Sequence, residues 1–136
     1  MTKHQLIFKN ECYKVIGICM EIHRILGRGL REIVYKDAME YEFKKNNIPF
    51  VREKEYEVHY KDIILKHNFY ADFVVYNDLV LEIKAVDQIH DDFVNITLNY
   101  ISIAKSPLGL IINFGAESLQ TRRVINSDHY IPGEFK

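Results

Sequence analysis

The chain has 136 residues, 48% of them hydrophobic, enough for one domain with a packed core. Its formal charge is −1 and its sequence pI about 6.6. No bulk basic field therefore marks it as a nucleic-acid coat or chromatin protein, although a local basic lip around an acidic site is not excluded. Cys12 and Cys19 lie seven residues apart on a helical pattern. Their Cα atoms would be about 10 Å apart, too far for a disulfide, so buried thiols in a reducing compartment are expected. No apolar run reaches membrane-spanning length, and residues 1–5 lack the apolar stretch of a secretory signal. A soluble, cytoplasmic protein is expected.

Taken in chain order, the first element is a helix from about Lys9 to Leu26. Cys12, Val15, Cys19, Ile22 and Leu26 recur at three- and four-residue steps, and Gly27-Arg28-Gly29 ends the run. A second helix is predicted from about Glu32 to Lys45, with Val34, Ala38, Met39 and Tyr41 as its inner side and Asn46-Asn47-Ile48-Pro49 as its stop. Phe50 to Tyr60 reads as a strand. Its first half, Arg52-Glu53-Lys54-Glu55, is polar on both faces, as an exposed edge would be. A turn at Lys61-Asp62 leads to a short return strand, Ile63-Ile64-Leu65. Phe69 to Val75 and Leu79 to Lys84 read as the next two strands, around turn residues Tyr76-Asn77-Asp78. A third helix runs from Asp91 to Ala104 and stops at Ser106-Pro107. Leu108 to Phe114 is apolar on both faces, the sign of an interior strand, and Leu119 to Ile125 is a final strand. The order is that of a mixed sheet sandwiched by helices, a single α/β domain over 1–136 with its core at about 9–126.

The strand pair carries the chemistry. Asp72, Glu82 and Lys84 are charged residues inside apolar strands, where each needs a partner or a task. Glu82 and Lys84 share a strand face. With a three-residue loop centred on Asn77, Asp72 faces Glu82 directly, with Cβ atoms about 4.5–5.5 Å apart. A two-residue loop would instead put them on opposite faces. Two carboxylates that close repel unless a cation lies between them, so they form the outline of a divalent-metal site that activates water. Repulsion alone also predicts that Asp72→Ala stabilises the metal-free protein.

Six segments follow in order along the chain: Gly29-Leu30-Arg31-Glu32-Ile33-Val34-Tyr35, Asn47-Ile48-Pro49-Phe50, Tyr70-Ala71-Asp72-Phe73-Val74-Val75, Leu81-Glu82-Ile83-Lys84-Ala85-Val86, Leu98-Asn99-Tyr100-Ile101 and Gly109-Leu110-Ile111-Ile112-Asn113-Phe114-Gly115. Together they resemble the GxxExxY family of the PD-(D/E)XK nuclease superfamily. The resemblance runs from about Val15 to Val124. It implies a restriction-endonuclease-like αβα sandwich with a central mixed β-sheet. It also implies Mg²⁺ (or Mn²⁺) held by Asp72 and Glu82, with Glu32 and the Ile83 backbone carbonyl as further ligands. Lys84 would position or activate the attacking water. Tyr35 and Tyr100 become candidates for substrate contact. Where related sequences carry a Gln four residues before the helical Tyr, this chain has Ile96.

Plainer explanations exist for each residue. Asp72, Glu82 and Lys84 could form a structural ion-pair cluster, and Glu32 could be a helix-start acid favoured by the macrodipole. Tyr35 and Tyr100 could be core aromatics with bonded hydroxyls. Arg28, Arg31, Lys105, Arg122 and Arg123 are solvated surface charge by default. The six histidines show no zinc-site spacing. The expected activity is Mg²⁺-dependent hydrolysis of nucleic acid, DNA foremost, with a homodimer as one way to cut both strands. The alternative is a catalytically degenerate module of the same fold that binds nucleic acid or a protein partner.

Overall fold

A computed structural model describes residues 7–127. Helix α1 spans Lys9–Leu26 and α2 Glu32–Lys45, followed by β1 (Phe50–Tyr56), β2 (His59–Tyr60), β3 (Ile63–Ile64), β4 (Phe69–Val75) and β5 (Leu79–Lys84). Helix α3 (Asp91–Ala104), β6 (Leu108–Asn113) and β7 (Gln120–Ile125) complete the fold. The main sheet has five strands in the order β1-β4-β5-β6-β7, and β2 and β3 form a separate two-stranded hairpin. Among the described residues only the β5–β6 pair is parallel, with α3 as its crossover. The strand expected over Phe50 to Tyr60 is thus two strands, because Tyr60 pairs with Ile63 locally instead of continuing along β4.

Two apolar layers cover the sheet. One face packs on Cys12, Val15, Cys19 and Ile22 of α1 and on Tyr35, Met39 and Phe43 of α2. The other packs on Ile101 of α3, with Phe93 and Tyr100 at its margin. β6 is buried along its whole length, as its doubly apolar sequence demands, and β1 is an edge. Cys12 and Cys19 are free and buried, and burial raises both thiol pKa values. Among the described residues no helix is long and apolar enough to cross a membrane.

The inner face of α2 differs from the expected one. Met39 is buried and Ala38 packs against the same core, but Val34 and Tyr41 are exposed, and Tyr35, Lys36 and Phe43 point inward in their place. Tyr35, Met39 and Phe43 recur at four-residue steps, but a lysine shares their face while apolar residues lie outside it, so apolar content alone does not delimit the inner side.

Asn113, at the end of β6, fixes the segment that leaves β5. Its Oδ1 accepts from the Val86 N–H (2.9 Å) and the Gly115 N–H (3.0 Å). Its Nδ2 donates to the Val86 carbonyl (2.9 Å) and to Gln120 Oε1 (3.0 Å). A Cβ on Gly115 would lie 2.5 Å from the Ala85 carbonyl carbon, so the chain there admits only glycine. Asn113→Ala orphans several buried polar groups at once. An expected loss of about 2–4 kcal/mol should appear in urea unfolding; a loss under about 0.5 kcal/mol would show that water replaces the amide.

Candidate metal and hydrolysis site

The β4–β5 hairpin turns through Tyr76, Asn77 and Asp78, with positive φ at Tyr76 and Asn77. Its register pairs Phe73 with Leu81, Val74 with Val80 and Val75 with Leu79, which is the three-residue-loop register. The ladder ends there, one step short of Asp72 and Glu82, whereas β5 stays paired with β6 through Lys84. The two strands therefore fork at the acidic pair. Asp72 does not simply face Glu82 across a ladder: its Oδ2 accepts from the Ile83 backbone N–H at 2.7 Å, taking the place of a strand carbonyl.

The fork has a counterpart in β1. Every residue from Phe50 to Tyr56 pairs with β4 except Glu53, which lies at the position opposite Asp72. Glu53 has φ 54°, in the left-handed region that costs a side-chain-bearing residue about 1–2 kcal/mol. Both strands change phase at this step. Phe69 and Ala71 face α3 while Phe73 and Val75 face α1 and α2; Phe50 and Tyr56 divide the same way. Regular alternation would put all of these on one face. The irregularity brings Asp72 within reach of groups from both layers.

Glu32, Asp72, Glu82, Lys84 and Tyr100 line one cleft of about 220 Å³, with Phe93 and Ile96 of α3 on its wall. Glu82 is only 7% exposed, and its Oε1 is buried with no hydrogen-bond partner. Burial first, then the charge of and hydrogen bonding to Asp72, push its pKa up to about 9, against the smaller opposing pull of Lys84 and Lys36. Lys84 lies on the same side, its ammonium 4.7 Å from the Phe93 ring centroid. It forms no direct ion pair with either carboxylate. Tyr100 stacks on Phe69 (4.3 Å), which stacks on Tyr56 (5.0 Å), so its ring braces the cleft.

Tyr35 does not join them. It is fully buried, stacked on Phe114 at 4.5 Å, with its hydroxyl donating to the Gly27 carbonyl at 2.7 Å and accepting from Leu30 N–H at 3.2 Å. Its hydroxyl is used up in holding the loop between the helices, which removes it as a substrate contact in this conformation.

Sequence reasoning missed Lys36. Its ammonium donates to Asp72 Oδ1 at 2.9 Å and to Glu53 Oε1. Burial pulls its pKa down, but the two carboxylates outweigh burial and leave it raised. The signal was available: Lys36, Met39 and Phe43 fall on one helical stripe, and a lysine within such a stripe needs an acidic partner.

Among the described residues no three His, Cys, Asp or Glu side chains converge as a ready-made metal cage. Mg²⁺ sites commonly use one or two carboxylates and complete their shell with water and substrate phosphate. The donor set present, Asp72 with a buried, unpaired Glu82 oxygen, fits that pattern.

The PD-(D/E)XK nuclease superfamily matches the chain over residues 9–124, so the chain belongs to that superfamily. The crystal structure of SSO0001 aligns with it at a TM-score of 0.56 and 16% sequence identity. The alignment covers 89% of this chain and 60% of that protein, so this chain spans less than two thirds of its length. At that identity the likeness speaks for the fold, which is restriction-endonuclease-like. No curated protein matches significantly.

Proposed function

We propose that the chain is a Mg²⁺- or Mn²⁺-dependent phosphodiesterase acting on nucleic acid, of the GxxExxY kind within its superfamily. The observation that carries this is the meeting of Asp72, Glu82 and Lys84 in one cleft, with a Glu82 oxygen buried and unpaired. Asp72 and Glu82 would hold the metal, with Glu32 and the Ile83 carbonyl as further ligands. The bound ion would supply Lewis acidity and a water of lowered pKa. Lys84, beside Glu82 on β5, would orient that water or steady charge on the scissile phosphate. Tyr100 offers an aromatic edge to the substrate. The shallower hollow of about 560 Å³ beside the cleft, lined by Arg31, Glu32 and Lys36, offers a path for the rest of a strand. DNA is the substrate we favour, the cytoplasm the compartment, and a homodimer the arrangement for duplex cutting.

The test is cleavage of end-labelled duplex DNA, single-stranded DNA and RNA with and without Mg²⁺. Lys84→Met is expected to bind Mn²⁺ normally and to lose cleavage by about 10²–10⁴-fold. Unchanged cleavage would remove Lys84 from the mechanism.

One observation favours the degenerate module. Ile96, 45% exposed on the cleft wall, puts a side chain without hydrogen-bonding capacity beside the carboxylates. Ile96→Gln is expected to raise cleavage about tenfold, equivalent to one added hydrogen bond of ~1.4 kcal/mol. No gain would show that the apolar wall is not what limits the site.

A further inference from the structure

Three carboxylates sit where the ladders of adjacent strands break: Glu53, unpaired on β1, Asp72 on β4, and Glu82 on β5, one step past the last β4–β5 pair. The two gaps between them are treated differently. Lys36 from α2 fills the first, donating to both Glu53 and Asp72 Oδ1, and its side chain is 10% exposed. The second has no cation in it: Lys84 turns to the face of Phe93, and Glu82, 7% exposed, keeps Oε1 unpaired. The backbone is bent to suit the first gap, since Glu53 adopts a left-handed φ of 54° and both strands change phase there.

Resting on the metal-site reading above, we propose that Lys36 is a resident cation that stands where a second divalent ion would bind, so that the site loads a single metal. A lysine ammonium is a compact point charge on a flexible stem, suited to bridging two carboxylates. Held between Glu53 and Asp72, it offsets one of their two charges and excludes a divalent ion from that gap by charge and volume. It also fixes the Asp72 carboxylate through Oδ1 while the Ile83 N–H fixes it through Oδ2, and the single metal would bind between Asp72 and Glu82. Lys36 is thus a positioning residue for the site and the determinant of its stoichiometry.

Calorimetric titration of Mn²⁺ into the full chain tests this. Wild type is expected to bind one ion, Lys36→Met two, and Lys36→Met/Glu53→Gln one again, because the second site needs the Glu53 carboxylate. The melting temperature of Lys36→Met should also rise more on adding Mn²⁺ than that of wild type. Two ions in wild type, or one ion with unchanged affinity in a folded Lys36→Met, would overturn the proposal while leaving the metal site in place. Two ions in wild type overturn it even if the single variant fails to fold, and Lys36→Gln then supplies the second variant, with two ions again expected. Absence of any binding to wild type would instead overturn the metal-site reading itself.

Discussion

Asp72→Ala is expected to destabilise the metal-free protein by about 3 kcal/mol, the usual cost of breaking a largely buried ion pair by removing one partner. Two groups lose their acceptor together. Lys36, with its side chain 10% exposed, keeps only Glu53, and the Ile83 N–H loses its 2.7 Å bond at the fork of the sheet. The expectation from carboxylate repulsion alone had the opposite sign, because it counted Glu82 as the sole neighbour of Asp72. Urea unfolding decides between them. A stabilised Asp72→Ala would mean that Lys36 finds water or another acceptor, and that repulsion dominates after all.

Glu82→Gln should act in the other direction. Glu82 is the acid of the pair whose charge is unsupported, with its pKa pushed up to about 9 from 4.5 by burial and then by Asp72. Below about pH 4.5 the folded and unfolded chains both hold this proton. Between about 4.5 and about 9 the folded chain retains it and the unfolded chain does not, so stability falls as pH rises through that window. Each pKa unit is worth ~1.4 kcal/mol, so the loss is of the order of a few kcal/mol. Glu82→Gln is expected to flatten this decline and to be more stable than wild type at pH 8 without metal. Thermal melts across pH 5–9 check it; an unchanged slope would assign the pH dependence to other groups.

The contrast between the two acids explains how much of the site was legible in the sequence. Asp72, Glu82 and Lys84 stood out because charge inside apolar strands is conspicuous, and the turn at Tyr76-Asn77-Asp78 fixed a register that the structure has at its paired positions. The helices over Lys9–Leu26 and Glu32–Lys45 were equally plain from their stop signals. The inner face of α2 was not, since Ile33, Val34 and Tyr41 are apolar yet exposed, and Lys36 is charged yet buried. Glu53 was invisible for a related reason. It sits among four consecutive charged residues at an edge, and nothing local marks the one whose backbone turns left-handed. Both meet at the phase change beside Asp72, where β1, β4 and α2 come together. Tyr35 shows the converse: its place in a motif suggested contact with substrate, while its surroundings spend its hydroxyl on Gly27.

The most direct test of the central claim is calorimetric titration of Mn²⁺ into wild type and Glu82→Gln at pH 7, in two buffers of different ionisation enthalpy. The variant should be folded and, if anything, more stable, so lost binding cannot be blamed on unfolding. Binding by wild type with release of a proton, and none by the variant, is the predicted result, since the metal must displace the proton Glu82 holds. No binding by wild type, or equal binding by Glu82→Gln, would contradict a metal site at Asp72 and Glu82.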